Sequence, residues 1–175
     1  MKKFVLRKGF TQPHSAGAGF TLIELLIVIA IIAILAAVAF VALDPLTRFR
    51  DARDAHRWSD VSATLNALKA DQVDNRGTYL ASVTAMTAGQ VYMVGTDAAA
   101  CNTYTCDTAV SAATNCVDLA GLVTAGKMGS IPISPNGAGT WTAGHTGYTL
   151  QRDATGILTA RSCESENTTE ILLSR

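Results

Sequence analysis

A chain of 175 residues has room for one ordinary domain and little else. Its 14 basic and 14 acidic residues cancel, but Lys2, Lys3, Arg7 and Lys8 fall in the first 19 residues with no acid among them, leaving 10 basic against 14 acidic residues in the remainder. A mildly acidic body argues against nucleic acid as a partner, because phosphate binding needs concentrated Lys and Arg.

The first predicted element is the run from Phe20 to Leu43, 24 residues in which only Thr21 and Glu24 are neither apolar nor Ala. As a helix rising 1.5 Å per residue it spans about 36 Å, enough to cross a hydrocarbon core of about 30 Å with some tilt. Apolar side chains on every face point to lipid or a protein bundle around it, since a surface helix would carry a single apolar stripe. The unopposed cations ahead of it place the N-terminus on the cytoplasmic side of the membrane and the body on the exported side. A plain anchor fits these features, and so does a secretory signal cut after Ala39 in Ala37-Val38-Ala39. Neither accounts for Glu24, because a carboxylate inside a membrane helix costs about 2.5–3.5 kcal/mol and is kept for a function.

The stretch Gly19-Phe20-Thr21-Leu22-Ile23-Glu24-Leu25-Leu26 resembles the processing segment of the type IV pilin and pseudopilin superfamily. The resemblance implies a cut by prepilin peptidase between Gly19 and Phe20, methylation of the new Phe20 amine, and Glu24 as the assembly carboxylate. It also implies self-assembly into a homopolymer or mixed filament, with the inner-membrane assembly machinery as a further partner and the final filament periplasmic or extracellular. The earlier Gly9-Phe10-Thr11 is not equivalent, because His14, preceded by Pro13, stands where Glu24 should be and no apolar run follows. Physically, cleavage leaves a charged amine one helical turn from Glu24, where unpaired charge is costly. Pairing that amine with a neighbour's carboxylate would fix the axial register of packed helices, and an intramolecular pair before assembly is compatible with this.

Asp44-Pro45 next reads as an N-cap followed by a first helical position, so the helix bends or restarts there. Many pilins carry a helix-loosening proline slightly earlier, where this chain has Val41. Arg48, Arg50, Asp51, Arg53, Asp54, Arg57 and Asp60 form a mixed-charge stretch whose leading reading is a solvated helix face, with contact between subunits as the alternative. Trp58, Val61, Leu65 and Leu68 make one apolar stripe that should receive a small domain. The helix is expected to end near Asn75-Arg76-Gly77, with glycine suited to a left-handed cap. The segment from Gln72 to Tyr79 also resembles the helix end of major pseudopilins of type II secretion.

Beyond Gly77, turn-rich composition predicts strands and loops. Gln90–Val94 reads as a short strand, Asp118–Val123 as a helical turn capped by Asp118, and Pro135-Asn136-Gly137 as a turn. Tyr148–Arg152 and Ile157–Ser162 read as a β-hairpin around the loop Asp153-Ala154-Thr155-Gly156. The expected fold class is α+β and pilin-like: a leader (1–19), a transmembrane and assembly helix (20–43), its amphipathic continuation (44–77) and an exported strand-and-loop region (78–175).

Cys101, Cys106, Cys116 and Cys163 all fall in the exported part, where an even number favours disulfides. Of the three pairings we expect Cys101–Cys106 with Cys116–Cys163, the second pinning the end of the hairpin. Zinc is disfavoured, since no C-x-x-C occurs and only His56 and His145 accompany the cysteines after processing. No catalytic constellation and no cofactor motif is present in the sequence, which points away from an enzyme. His145 reads as a solvated loop residue. Asp153, Glu164 and Glu166 supply too few assured oxygens for a calcium loop, and Asn167-Thr168-Thr169 is a lone glycosylation pattern. The structural reading is therefore a filament subunit, with a membrane-anchored binding module that never polymerises as its alternative.

Overall fold

The computed structural model describes residues 19–98, 101–112, 116–137 and 139–175; the basic leader and its Gly9-Phe10-Thr11 lie outside the described residues. The chain divides after Asp44 into two units, an N-terminal helical one and a body from Pro45 to Arg175. In the first, α1 (Leu22–Leu43) is helical throughout, as expected of a run free of Gly and Pro, and none of its residues is buried. Asp44 closes it in the left-handed region at φ 36°, rather than in the extended conformation of an N-cap.

The body opens with α2 (Pro45–Asp74), followed by two short helices, α3 (Ala81–Thr84) and α4 (Ala120–Thr124), and by β1 (Val91–Met93), β2 (Tyr148–Arg152), β3 (Leu158–Ser162) and β4 (Leu172–Ser174). The strands form one antiparallel sheet in the order β1-β2-β3-β4. The fold is thus α+β, with α2 packed on β3 and β4. Val61, Leu65 and Leu68 of α2 meet Leu150, Leu158, Ala160 and Ile171 in the main core, together with Val83 and Leu122 from the short helices. Burying each large aliphatic side chain stabilises the fold by about 1.5–3 kcal/mol. The outer side of β1 is lined by the segment after residue 110, whose Ser111 and Ala112 amides donate to the Val91 carbonyl and whose Val117 amide donates to that of Met93.

The helix end and the hairpin follow local chemistry. Arg76 (φ 57°) takes the left-handed position expected of Gly77, while the Gly77 amide (φ 91°) reaches back to the Gln72 carbonyl at 2.7 Å, the six-to-one bond of a Schellman ending. Between β2 and β3, Asp153 Oδ1 accepts from the Thr155 and Ile157 amides and the Thr155 hydroxyl, and Gly156 supplies φ 89°. Asp118 Oδ1 accepts from the Ala120 amide at 2.8 Å, but the N-cap of α4 is Leu119, one residue later than expected, and carries no side-chain cap bond. The sequence reading did not anticipate β4, whose residues Leu172, Leu173 and Ser174 pair with Arg161, Ala160 and Thr159.

The disulfide pairing differs from the expected one. Cys101 is bonded to Cys116, with Cα atoms 5.4 Å apart, and Cys106 to Cys163, at 4.1 Å. Cys101 begins a 3-10 turn and is buried, and Cys116 lies next to it because Val117 bridges to Val94, just past β1. The chain then carries Cys106 to the end of β3, where the Asp107 amide donates to the Cys163 carbonyl. All four cysteines belong to a second small core with Met93, Tyr104 and Trp141. From loop-closure entropy, the 57-residue separation of Cys106 and Cys163 corresponds to about 4 kcal/mol and the 15-residue separation of Cys101 and Cys116 to about 3 kcal/mol. Replacing Cys106 and Cys163 together by Ser is therefore expected to lower the stability of the folded body more than replacing the other pair. Denaturant unfolding of the two double variants tests the ranking, and non-reducing peptide mapping tests the pairing.

Candidate processing and assembly segment

Gly19 and Phe20 lie in irregular, exposed backbone immediately ahead of α1. A Cβ at Gly19 would meet nothing within 4 Å, so glycine is not required there by packing within the chain. Thr21 is the N-cap, extended at φ −79° and ψ 151°. Its hydroxyl oxygen accepts from the Glu24 amide at 3.3 Å, while Glu24 Oε2 accepts from the Thr21 amide and the Thr21 hydroxyl, each at 2.8 Å. This is a capping box, in which two otherwise orphaned amides are satisfied reciprocally. Every atom of it belongs to Thr21 and Glu24, so hydrolysis of the Gly19–Phe20 bond would leave it intact. The carboxylate is thereby turned back toward the start of the helix, where the macrodipole favours negative charge. Behind it, Leu25, Leu26, Ile29, Ile32, Leu35 and Phe40 are each more than half exposed.

The mixed-charge stretch of α2 is not a solvated face. Arg57 is fully buried and Asp54 is 2% exposed. Arg57 donates to Asp54 Oδ1 at 2.8 Å, Glu166 Oε1 at 2.9 Å and Glu164 Oε1 at 3.1 Å, and also to Ser134 and the Pro135 carbonyl. Arg53 forms a fork with Glu166, and Trp141 Nε1 donates to Glu164 at 2.8 Å. Asp54 also accepts from the Glu166, Asn167 and Thr168 amides, so one turn of α2 clamps the loop after β3. The Arg53 hydrogen bonds hold Glu166 down at about 2 against the opposing effect of burial, with Arg57 adding to the shift. For Asp54 burial pushes upward, but the loop amides and Arg57 outweigh it and keep the carboxyl below its ordinary range. The buried row thus runs through Asp54 and Arg57 before it reaches Val61, and Trp58, expected in the core, is 39% exposed.

Other expected positions resolve differently. His145 is not a solvated loop residue: its Nδ1 lies 3.0 Å from Asp97 Oδ2, and its ring stacks on Tyr104 at 3.9 Å. Asn167 Nδ2 is committed to Asp51 Oδ1 at 2.8 Å and the Thr47 carbonyl at 3.2 Å, and a glycan, by replacing one of its two hydrogens, would remove one of these bonds. Asp153 serves its own hairpin while Glu164 and Glu166 serve arginines. Among the described residues no group of three or more His, Cys, Asp or Glu side chains could hold a metal ion. The buried ion network is not legible in the chain because Arg57 meets Glu164 and Glu166 across more than a hundred residues, and only Asp54 is its helical neighbour. The sequence signal was Arg57 standing on the helical row of Val61, Leu65 and Leu68.

Residues 15–40 match the family model of the prokaryotic N-terminal methylation motif, the hallmark of the prepilin-type signal of type IV pilins and pseudopilins. The matched stretch contains Gly19, Phe20, Glu24 and most of α1. No curated protein matches the chain, and no solved structure does.

Proposed function

We propose that this chain, which carries a prepilin-type methylation motif on a long apolar helix, is a structural subunit, pilin or pseudopilin, of a type IV pilus-like or type II secretion filament. The observation that carries the reading is the combination at the start of α1: one capped carboxylate, Glu24, directly behind Gly19–Phe20, on a 22-residue apolar helix with no buried face. Residues 1–19 are the leader removed by prepilin peptidase, 20–43 the membrane and assembly helix, 44–77 its continuation and 78–175 the exported region. Before assembly the subunit stands in the inner membrane with its N-terminus cytoplasmic. Helix faces of that kind then pack against those of other subunits, and Glu24 offers its charge to the Phe20 amine of a neighbour. The polymer is periplasmic or extracellular, and the role is structural rather than enzymatic.

Mass spectrometry of the mature protein tests this directly. The expected N-terminus is Phe20 carrying one methyl group. A chain beginning at Phe40 would instead establish secretory cleavage, and an intact Met1 would leave a plain anchor.

A further inference from the structure

The sequence interleaves arginines and aspartates along the first turns of α2, but the fold separates them. Asp51 is taken by Asn167, Asp54 by Arg57 and the loop amides, and Arg53 by Glu166. Arg48 and Arg50 are exposed and have no ion pair or hydrogen bond among the described residues. At helical spacing Thr47, Asp51 and Asp54 share the face covered by the Asn167 loop, while Leu46, Phe49, Arg50 and Arg53 share another. On that second face Leu46 is 69% and Phe49 63% exposed. Arg50 thus shares a face with two large uncovered apolar side chains that begins three residues after the last residue of α1, while Arg48 projects from the opposite side of the same turns.

We propose that Leu46, Arg48, Phe49 and Arg50 form a membrane-surface contact, in which the arginines hold the phosphates of anionic phospholipids while Leu46 and Phe49 enter the interfacial layer. The proposal rests on the membrane-anchored subunit described above. Six helical residues from Pro45 to Arg50 rise about 9 Å, comparable to the headgroup layer that separates the hydrocarbon core from water. Long arginine side chains reach phosphates from either side of that layer, and aromatic and aliphatic groups suit its depth. A second copy of the chain is the poorer partner for this face. Its own Asp54, Glu164 and Glu166 are held in ion pairs with Arg53 and Arg57, which leaves Asp51, itself bonded to Asn167, as the carboxylate that the same stretch of a neighbour could offer.

The test uses the processed chain carrying Phe49→Trp, reconstituted in phosphatidylcholine vesicles with and without phosphatidylglycerol. Quenching of the introduced tryptophan by brominated lipid is read after subtracting the signal of the parent chain, which retains Trp58 and Trp141. Quenching is expected to rise when the anionic lipid is included, and to return to the neutral-lipid level in Arg48→Gln/Arg50→Gln or at high salt. Each arginine should shift the docked-to-undocked ratio by about fivefold. Quenching independent of lipid charge and of both arginines would overturn the proposal. So would a photocrosslinker at Phe49 that captures a second copy and no lipid. Resistance to alkaline carbonate extraction is measured in parallel: release from the vesicles means that the anchoring reading itself has failed, whereas retention with unchanged quenching condemns the headgroup contact alone.

Discussion

Replacing Arg57 by Met is expected to destabilise the body by about 3–5 kcal/mol, the cost of stripping a buried charge from partners that stay behind. Asp54, Glu164 and Glu166 would then crowd one site with only Arg53 to answer them. Denaturant unfolding of the full chain in detergent micelles, at neutral pH, reads the loss as a lower midpoint with an unchanged slope. The effect should depend on acid in a defined direction. Asp54 and Glu166 both ionise below their ordinary values in the folded chain, so their contribution is fully present above the unfolded values of 3.8 and 4.5. It is lost as pH falls through the folded values, about 2 for Glu166. The gap between parent and Arg57→Met should therefore narrow as the pH is lowered from about 4.5 toward about 2. A gap that is constant across that window, or below about 1 kcal/mol at neutral pH, would show that the cluster is only polar filling.

Glu24→Gln should be processed normally yet fail to enter filaments. Its design follows from the capping box, because glutamine can reproduce the bond to the Thr21 amide and leave the start of α1 unchanged. Only the charge is removed. An incoming Phe20 amine would then lose its carboxylate partner in a low-dielectric bundle, at about 3–5 kcal/mol for each added subunit. Glu24→Ala removes both the charge and the carboxylate half of the capping box, leaving the Thr21 hydroxyl on the residue-24 amide. Comparing processed and sheared-filament fractions separates the two contributions. Equal loss of filaments in Gln and Ala variants assigns the effect to charge. Normal assembly of Glu24→Gln with failure of Glu24→Ala would assign it to the helix start and sink the pairing proposed here.

Elements written in local chemistry were legible from the chain alone. The apolar run, the hairpin around Asp153 and the helix end at Arg76–Gly77 each depend on residues within about one turn of one another. The methylation motif is likewise a contiguous string. What escaped was non-local. The expected pairing rests on Cys116 pinning the end of the hairpin through Cys163, but the segment beside β1 brings Cys116 to Cys101 and leaves Cys106 to pin the hairpin. Arg57 looked solvated because charge next to charge in a helix usually is, and only its acids from beyond β3 make its burial tolerable. Trp58 was assigned to the core on periodicity, whereas the ion cluster occupies the inward row one residue earlier. Leu172–Ser174 lacks turn signals and became a strand only because β3 had an open side.

The lining of β1 has a consequence for the filament proposed above. Polymerisation raises the local concentration of bodies far above that of free subunits, the condition under which open strand edges recruit one another. Here one edge of the sheet is occupied by Ser111, Ala112 and Val117, tethered through the Cys101–Cys116 bond, and the other is a strand of three residues. Backbone groups along β1 are thus engaged within the subunit, and the β4 edge offers only three residues for pairing. In the proposed filament, neighbouring bodies would then meet mainly through side chains rather than by fusing into a continuous sheet.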